Sequence, residues 1–385
     1  MPGDKAAGPA ATSLESLVRE ADRQLSICNA CRYCEGYCAV FPALERRSFL
    51  SAADVSQLAN LCHDCRACFD ACMYTPPHEF GLNVPRILAE VRVENYDRYL
   101  WPHWAGRLLR GWRGVALGVP LITVVLALIA MANAGPAGLI AGPHGPASPY
   151  AILPYPVLLA VVAVPFIFAC TVMTVGALRY WADAGGAPSG LWPGAVARAL
   201  AYSATLRYLS GGRGGCFYPR DDQPSGTRRY LHALVAYGFG LCVASTVSAA
   251  AAQDLLGSPP PYPLLSVPVM TGTVGGAAMV TGCSALLWMK AGSSRVTSTE
   301  TMIAKDYALL VSLDLLALSG LGVLLARTTP AFGLLLLLHL VSIAAAFISA
   351  PYSKFVHVSY RFLALVRDNL EAGMRVRRGD RAARS

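Results

Sequence analysis

Eight of the twelve cysteines in this chain fall into two copies of one spacing, Cys28-x2-Cys31-x2-Cys34-x3-Cys38 and Cys62-x2-Cys65-x2-Cys68-x3-Cys72. Three thiolates on one tight turn can grip three irons of a cubane, while the displaced fourth cysteine ligates the neighbouring cluster. The spacing therefore predicts two [4Fe-4S] clusters with crossed ligation. Cys28, Cys31, Cys34 and Cys72 would hold the first, and Cys62, Cys65, Cys68 and Cys38 the second. Structural zinc usually takes its cysteines as separated pairs. A disulfide framework belongs to small secreted domains, and no signal peptide is read ahead of the motif.

The elements that must present these cysteines read as helices. Ala43 to Ala59 between the two runs and Leu82 to Val93 after the second are the expected ones. The prolines Pro42 and Pro76 lie four residues beyond each run instead of directly after it, unlike bacterial ferredoxins. The module resembles the helical ferredoxin of succinate dehydrogenase more than the small β-rich fold. Beyond about Arg113 the composition changes, and a hydrophobic fraction of 55% with 14% charge is that of a membrane protein. Six segments can each cross a hydrocarbon core about 30 Å thick. They are Val115 to Ala134, Ile152 to Leu178, Leu231 to Ala252, Leu264 to Met289, Tyr307 to Ala326 and Ala331 to Ala350, with Pro120, Pro154, Pro156, Pro165 and Pro268 expected to kink them. The expected fold is all-α, a helical ferredoxin module followed by a six-helix transmembrane bundle. Its divisions are a disordered tail (1–13), a cytoplasmic ferredoxin-like domain (14–100), an interfacial linker (101–114), a haem-binding membrane domain (115–357) and a basic cytoplasmic tail (358–385).

Orientation follows from where Lys and Arg fall. Thirteen precede the first span, seven lie between spans two and three, three between four and five, and eight follow Ala350, whereas the alternate connections hold only Arg327. Both termini and the cysteine module are thus expected in the cytoplasm of a bacterial cell, with the chain in the inner membrane. The net charge of +9 tracks membrane boundaries instead of forming one stripe, so no nucleic-acid partner is expected. Trp101, Trp104 and Trp112 with Arg107, Arg110 and Arg113 form an amphipathic approach that seats the module at the headgroups.

Four histidines lie in the membrane half: His144, His232, His339 and His357. His144 falls in an outer Gly/Pro loop and reads as inert. Along one unbroken helix His339 and His357 would stand about 27 Å apart and cannot share an iron. His232 and His357 lie at the same cytoplasmic level, which predicts a bis-histidine haem b between the third and sixth spans. His339 is a further candidate ligand, the alternative being a hydrogen bond to a neighbouring Ser or Thr. Asp314 is the acid inside the fifth apolar segment and marks a candidate proton path, or bonds Ser312 or Ser319. Cys170, Cys242 and Cys283 read as packing residues, and Cys216 has no evident partner.

Two resemblances extend this reading. His-x17-His ending in Pro351-Tyr352-Ser353-Lys354-Phe355-Val356-His357 resembles the haem-b membrane subunit of respiratory nitrate reductase and its relatives among heterodisulfide reductases. Those relatives hold a second haem through a histidine ten residues after the first, where this chain has Cys242; a second site would need His339 with Cys242 or another ligand. The two cysteine runs and six spans, with Leu206-Arg207-Tyr208-Leu209, Gly214-Gly215-Cys216-Phe217-Tyr218-Pro219, Arg228-Arg229-Tyr230-Leu231-His232 and Tyr237-Gly238-Phe239, resemble the tricarballylate (citrate) utilisation protein B family. That resemblance implies a membrane-bound electron-transfer protein that reoxidises the flavin of a tricarballylate dehydrogenase-like partner and delivers electrons through two [4Fe-4S] clusters and haem b to the quinone pool. Relatives are expected to carry two adjacent histidines where this chain has His232-Ala233.

No dinucleotide fingerprint follows a strand, and Gly211 to Gly215 sits in a loop, so the donor is expected to be a separate FAD-containing dehydrogenase, and no organic-substrate site is found in this chain. Arg207, Arg213, Arg220, Arg228 and Arg229 either dock that partner or enforce topology. A membrane redox sensor would use the same groups but needs an output domain. A disulfide-reductase haem subunit would lack its cysteine-rich catalytic repeats here.

Overall fold

A computed structural model of the chain describes residues 14–109, 112–140, 148–186, 192–210 and 225–382. The expected tail 1–13, His144, Arg110, Gly211 to Gly215, Arg213, Cys216 and Arg220 lie outside them, as do the side chains of Trp112 and Arg113.

The amino-terminal module is helical throughout its regular elements: α1 (Leu14–Cys31), α2 (Val40–Leu44), α3 (Ala52–Leu61), α4 (Ala67–Asp70) and α5 (Val84–Arg98). The single helix expected over 43–59 is interrupted. Ser51 starts α3 with a capping box, its hydroxyl accepting from the Asp54 amide while the Asp54 carboxylate accepts from the Ser51 amide. That local signature outweighs the reading of 43–59 as one helix. Asn83 caps α5 by accepting from the Arg86 amide, and Pro85 occupies the first turn, where no amide is needed.

Six long apolar helices follow the short α6 (His103–Leu109): α7 (Trp112–Ile140), α8 (Tyr155–Asp183), then, after α9 (Pro193–Ala204), α10 (Thr227–Asp254), α11 (Val267–Ala291), α12 (Glu300–Leu325) and α13 (Phe332–Ser349). The spans fall where the sequence expects them, and the chain is a multi-pass membrane protein. Only 6% of the apolar window of α10 is buried against the rest of the chain, so its outer face is left for lipid. In α7 the backbone breaks at Gly135, which has a positive φ of 70° ahead of Pro136. Trp101, just before α6, and Trp104, within it, are exposed.

The sixth span does not run on to His357. It ends at Ser349, two short 3-10 turns cover 350–352 and 354–356, and His357 opens α14 (His357–Ala382). The unbroken axis assumed in spacing His339 from His357 is therefore absent. The segment expected as a basic tail is this helix. It packs on the module, with Leu25, Leu58, Leu61 and Leu88 in one core with Tyr180, Ala199, Tyr360 and Leu365. Module residues share a hydrophobic core with Tyr180 of α8, Ala199 of α9 and Tyr360 and Leu365 of α14.

Helices α10 and α11 approach through glycines. A methyl group built on Gly275 would lie 2.7 Å from the Gly238 carbonyl oxygen, and one on Gly282 would lie 2.8 Å from the Leu231 carbonyl oxygen, next to His232. Backbone cannot yield as a side-chain tip can, so small residues set this helix spacing. Gly275→Val is expected to destabilise the protein by about 1–3 kcal/mol through overpacking. Thermal unfolding in detergent checks this, and an unchanged midpoint would rule out a tight α10–α11 contact.

Candidate functional site

The cysteines line two adjoining hollows in the module. Cys28 and Cys31, in the last turn of α1, line the first with Cys34, Cys68 and Cys72. Cys62, at the end of α3, lines the second with Cys38, Cys65 and Cys68. Each crossed set proposed from the spacing thus shares a hollow, and Cys68 lines both. Left-handed backbone at Arg32 and Gly36 turns the chain between the cysteines of the first run, and left-handed Asp64 and Arg66 do so in the second. Burial pushes the Cys28 thiol up to about 12, helped by Cys72, Cys34 and Cys31. Burial likewise pushes Cys38 up to about 12 and Cys34 up to about 11, and Cys68 well above the ordinary thiol range. The Cys62 and Cys72 sulfurs accept from the Asp64 and Tyr74 amides at 3.5 and 3.4 Å.

The cofactor expectation is corrected. Among the described residues, no group of three or more His, Cys, Asp or Glu side chains is placed to hold a metal ion. The two [4Fe-4S] clusters and the haem b expected from sequence therefore do not fit the side-chain arrangement. Sharing a hollow is a weaker condition than converging on one ion. The nitrate-reductase-like haem bundle goes with them.

The histidines expected to be level do meet. His232 on α10 and His357 at the start of α14 have ring centroids 6.4 Å apart and planes nearly perpendicular. The His357 Nδ1 lies 2.6 Å from the Lys354 carbonyl oxygen, and since a carbonyl can only accept, Nδ1 carries the proton and Nε2 the lone pair. Burial holds His357 down to about 3, with Arg361 and Lys354 adding to the effect, so it is neutral at physiological pH. The His232 Nδ1 is buried without a partner. His339 stands apart, 3.0 Å from the Ser319 hydroxyl and packed against Gly320, where a methyl group would come within 2.9 Å of its ring.

Asp314 accepts a hydrogen bond from Ser284 of α11 at 2.9 Å, and its other oxygen is buried without a partner. Neither Ser312 nor Ser319 is its partner; they bond the Leu309 and Leu316 carbonyls. Cys283 is buried, Cys242 half-buried and Cys170 exposed. Arg207 lies over the Tyr202 ring, Arg229 bonds the Thr205 carbonyl, and Arg228 bonds the Asp64 carbonyl in the module.

A buried ionic group beside the histidines was not legible in advance. Asp306 of α12 bonds Lys290 of α11 at 2.5 Å and also Lys354. It falls one residue outside the apolar segment begun at Tyr307, so counting acids inside spans misses it. Lys354, three residues before His357, was the available signal.

A family model described as Citrate utilization protein B matches residues 110–380, and one described as Citrate utilization protein B Fer4-like domain matches residues 21–98. A curated relative, citrate utilization protein B of Escherichia coli, is 39% identical over 363 residues, covering 94% of each chain. No solved structure matches the chain.

Asp306→Asn removes one carboxylate from between two buried lysines, and leaving buried charge uncompensated typically destabilises by about 3–5 kcal/mol. Glu20→Gln at the exposed Glu20–Arg23 pair is expected to change the unfolding midpoint far less. Equal midpoint shifts for the two variants would remove the structural role given to Asp306.

Proposed function

The chain belongs to the citrate utilization protein B family, and from that premise we propose that it is the membrane-bound electron-transfer component of a tricarboxylate-using system. It takes electrons from a reduced FAD-containing dehydrogenase, of the tricarballylate dehydrogenase kind, and passes them to the quinone pool as a separate partner. The observation that carries this reading is one juxtaposition. Eight cysteines line two adjoining hollows in a module whose core is continuous with the membrane bundle, and the facing His232 and His357 lie where module and bundle join. Hollows that share Cys68 place the cysteine sets side by side, next to the junction with the membrane bundle. No metal group is assigned to the path.

The module and both termini face the cytoplasm in this reading, in the inner membrane of a bacterium, because the basic connections alternate with nearly uncharged ones. Asp314, with one buried oxygen unpartnered inside α12, is the proposed proton site on the way to the acceptor.

Vesicles carrying the full chain are expected to oxidise the reduced flavoprotein only when quinone is present. Cys68→Ser, at the residue lining both hollows, should slow that oxidation strongly, whereas Cys170→Ser on the exposed surface of α8 should leave it unchanged. Absence of chain-dependent oxidation, or equal behaviour of the two variants, would discard the relay. For orientation, a reporter active only outside the cytoplasm should be silent after Arg384 and active near Gly145, positions that both lie outside the described residues. The reverse pattern would overturn the placement of the module.

A further inference from the structure

The loop Cys62–Arg66, in the second cysteine run, is held from several sides by arginines of α5, α10 and α14. Arg361 of α14 donates to the Cys62 carbonyl at 2.5 Å, and Arg228 of α10 donates to the Asp64 carbonyl at 2.7 Å. Arg92 of α5 supplies a second donor to the Cys62 carbonyl at 3.0 Å. The Arg66 side chain reaches the opposite way, bonding Thr297 and the Ser294 carbonyl at 2.6 Å in the α11–α12 connection. Within this loop Asp64 and Arg66 both have positive φ, of 53° and 67°. Non-glycine residues keep such conformations only where the surroundings over-determine them.

The placement of the two bundle arginines is matched. Arg228 lies four residues before His232 on α10, and Arg361 lies four residues after His357 on α14. Residues four apart share a helix face one turn from each other. Each helix thus offers one histidine to the facing pair and one arginine to the same cysteine loop. Membrane topology requires only that positive charge lie near these helix ends; it does not require two guanidiniums on neighbouring carbonyls of one loop.

We infer that Arg228 and Arg361 are paired positioning residues that seat the Cys62–Arg66 loop over the His232–His357 pair and so set the geometry of transfer between module and bundle. The kinetic part rests on the relay proposed above; the structural part does not. A carbonyl accepts from an ammonium as well as from a guanidinium, so lysine retains one donor at each position while glutamine loses the charge and the reach.

The test uses the full chain in lipid nanodiscs, with Arg228→Gln, Arg361→Gln, the double Gln variant and the two Lys variants. Amide hydrogen exchange over residues 62–66 should accelerate in the Gln variants and return toward wild type in the Lys variants. With reduced flavoprotein as donor and quinone as acceptor, the Gln variants should lose at least about 10-fold in kcat, because small misplacements are costly. The KM for the donor should stay constant, and lysine should restore part of kcat. Unchanged exchange over 62–66 in the Gln variants overturns the clamp, as does a loss of rate expressed mainly in KM. If wild type transfers no electrons, the relay fails, while the exchange measurement still decides the clamp. If the double variant does not assemble, the single Lys and Gln variants carry the same comparison.

Discussion

The contact on which the arrangement turns is the hydrogen bonding of the Cys62 and Asp64 carbonyls inside the junction between module and membrane bundle. Buried carbonyls cannot be left without donors, and here the donors are guanidiniums from α5, α10 and α14. The same contact draws positive charge into a low-polarity region. Arg92 is 4% exposed, and its guanidinium nevertheless stays protonated, its pKa shifted upward against the opposing effect of burial by its proximity to Cys62 and Asp64. His63, in the middle of this loop, is forced the other way. Burial and the nearby Arg361 and Arg228 hold it well below the ordinary histidine range, so it stays neutral. The junction therefore concentrates fixed charge on arginines and keeps its imidazoles uncharged.

Two kinds of glue operate on either side of that junction. Toward the module, Arg47 joins Asp54 of α3 to Glu371 of α14, and Arg367 bonds Glu371 from within α14. Toward the membrane, Asp306 gathers Lys290 and Lys354. These groups are mostly buried, so they act less as sources of net stability than as devices that allow one register, since any other packing would strand a charge. Apolar packing supplies the bulk. Tyr99, at the end of α5, packs edge to face on Tyr180 of α8 and Tyr360 of α14, and those two rings lie tilted on each other, at centroid distances of 5.4–5.9 Å.

Much of the fold could be read from the chain, and the reasons are local. A span of about 20 apolar residues has few alternatives, so all six membrane helices were legible to within several residues. The break in the helix after Leu44 was also written locally, in the capping pair Ser51 and Asp54. Spacing suggested which cysteines share a neighbourhood, and Cys38 does line a hollow with Cys62 and Cys65, and Cys72 one with Cys28 and Cys31. Metal-holding geometry was not legible, since spacing constrains which sulfurs are near one another and leaves open whether they converge. The partners of Asp314 and Asp306 were illegible for another reason: Ser284 and Lys290 come from α11 and Lys354 from the turn after α13, and only tertiary packing brings them to α12. Arg228 looked like a topological charge because its target, Asp64, is far away in sequence.

The interruption between α13 and α14 has a bearing on how the chain tolerates length changes. In a continuous helix each added or lost residue rotates everything beyond it by about 100°. Were His357 on an extension of α13, a single insertion anywhere in that span would swing it away from His232. The two turns over 350–356 absorb such a rotation, and Lys354 is pinned to α12 through Asp306 and not to α13. The histidine pair is thereby insulated from insertions and deletions in the adjacent membrane helix, leaving α13 free to drift in length while the junction keeps its register.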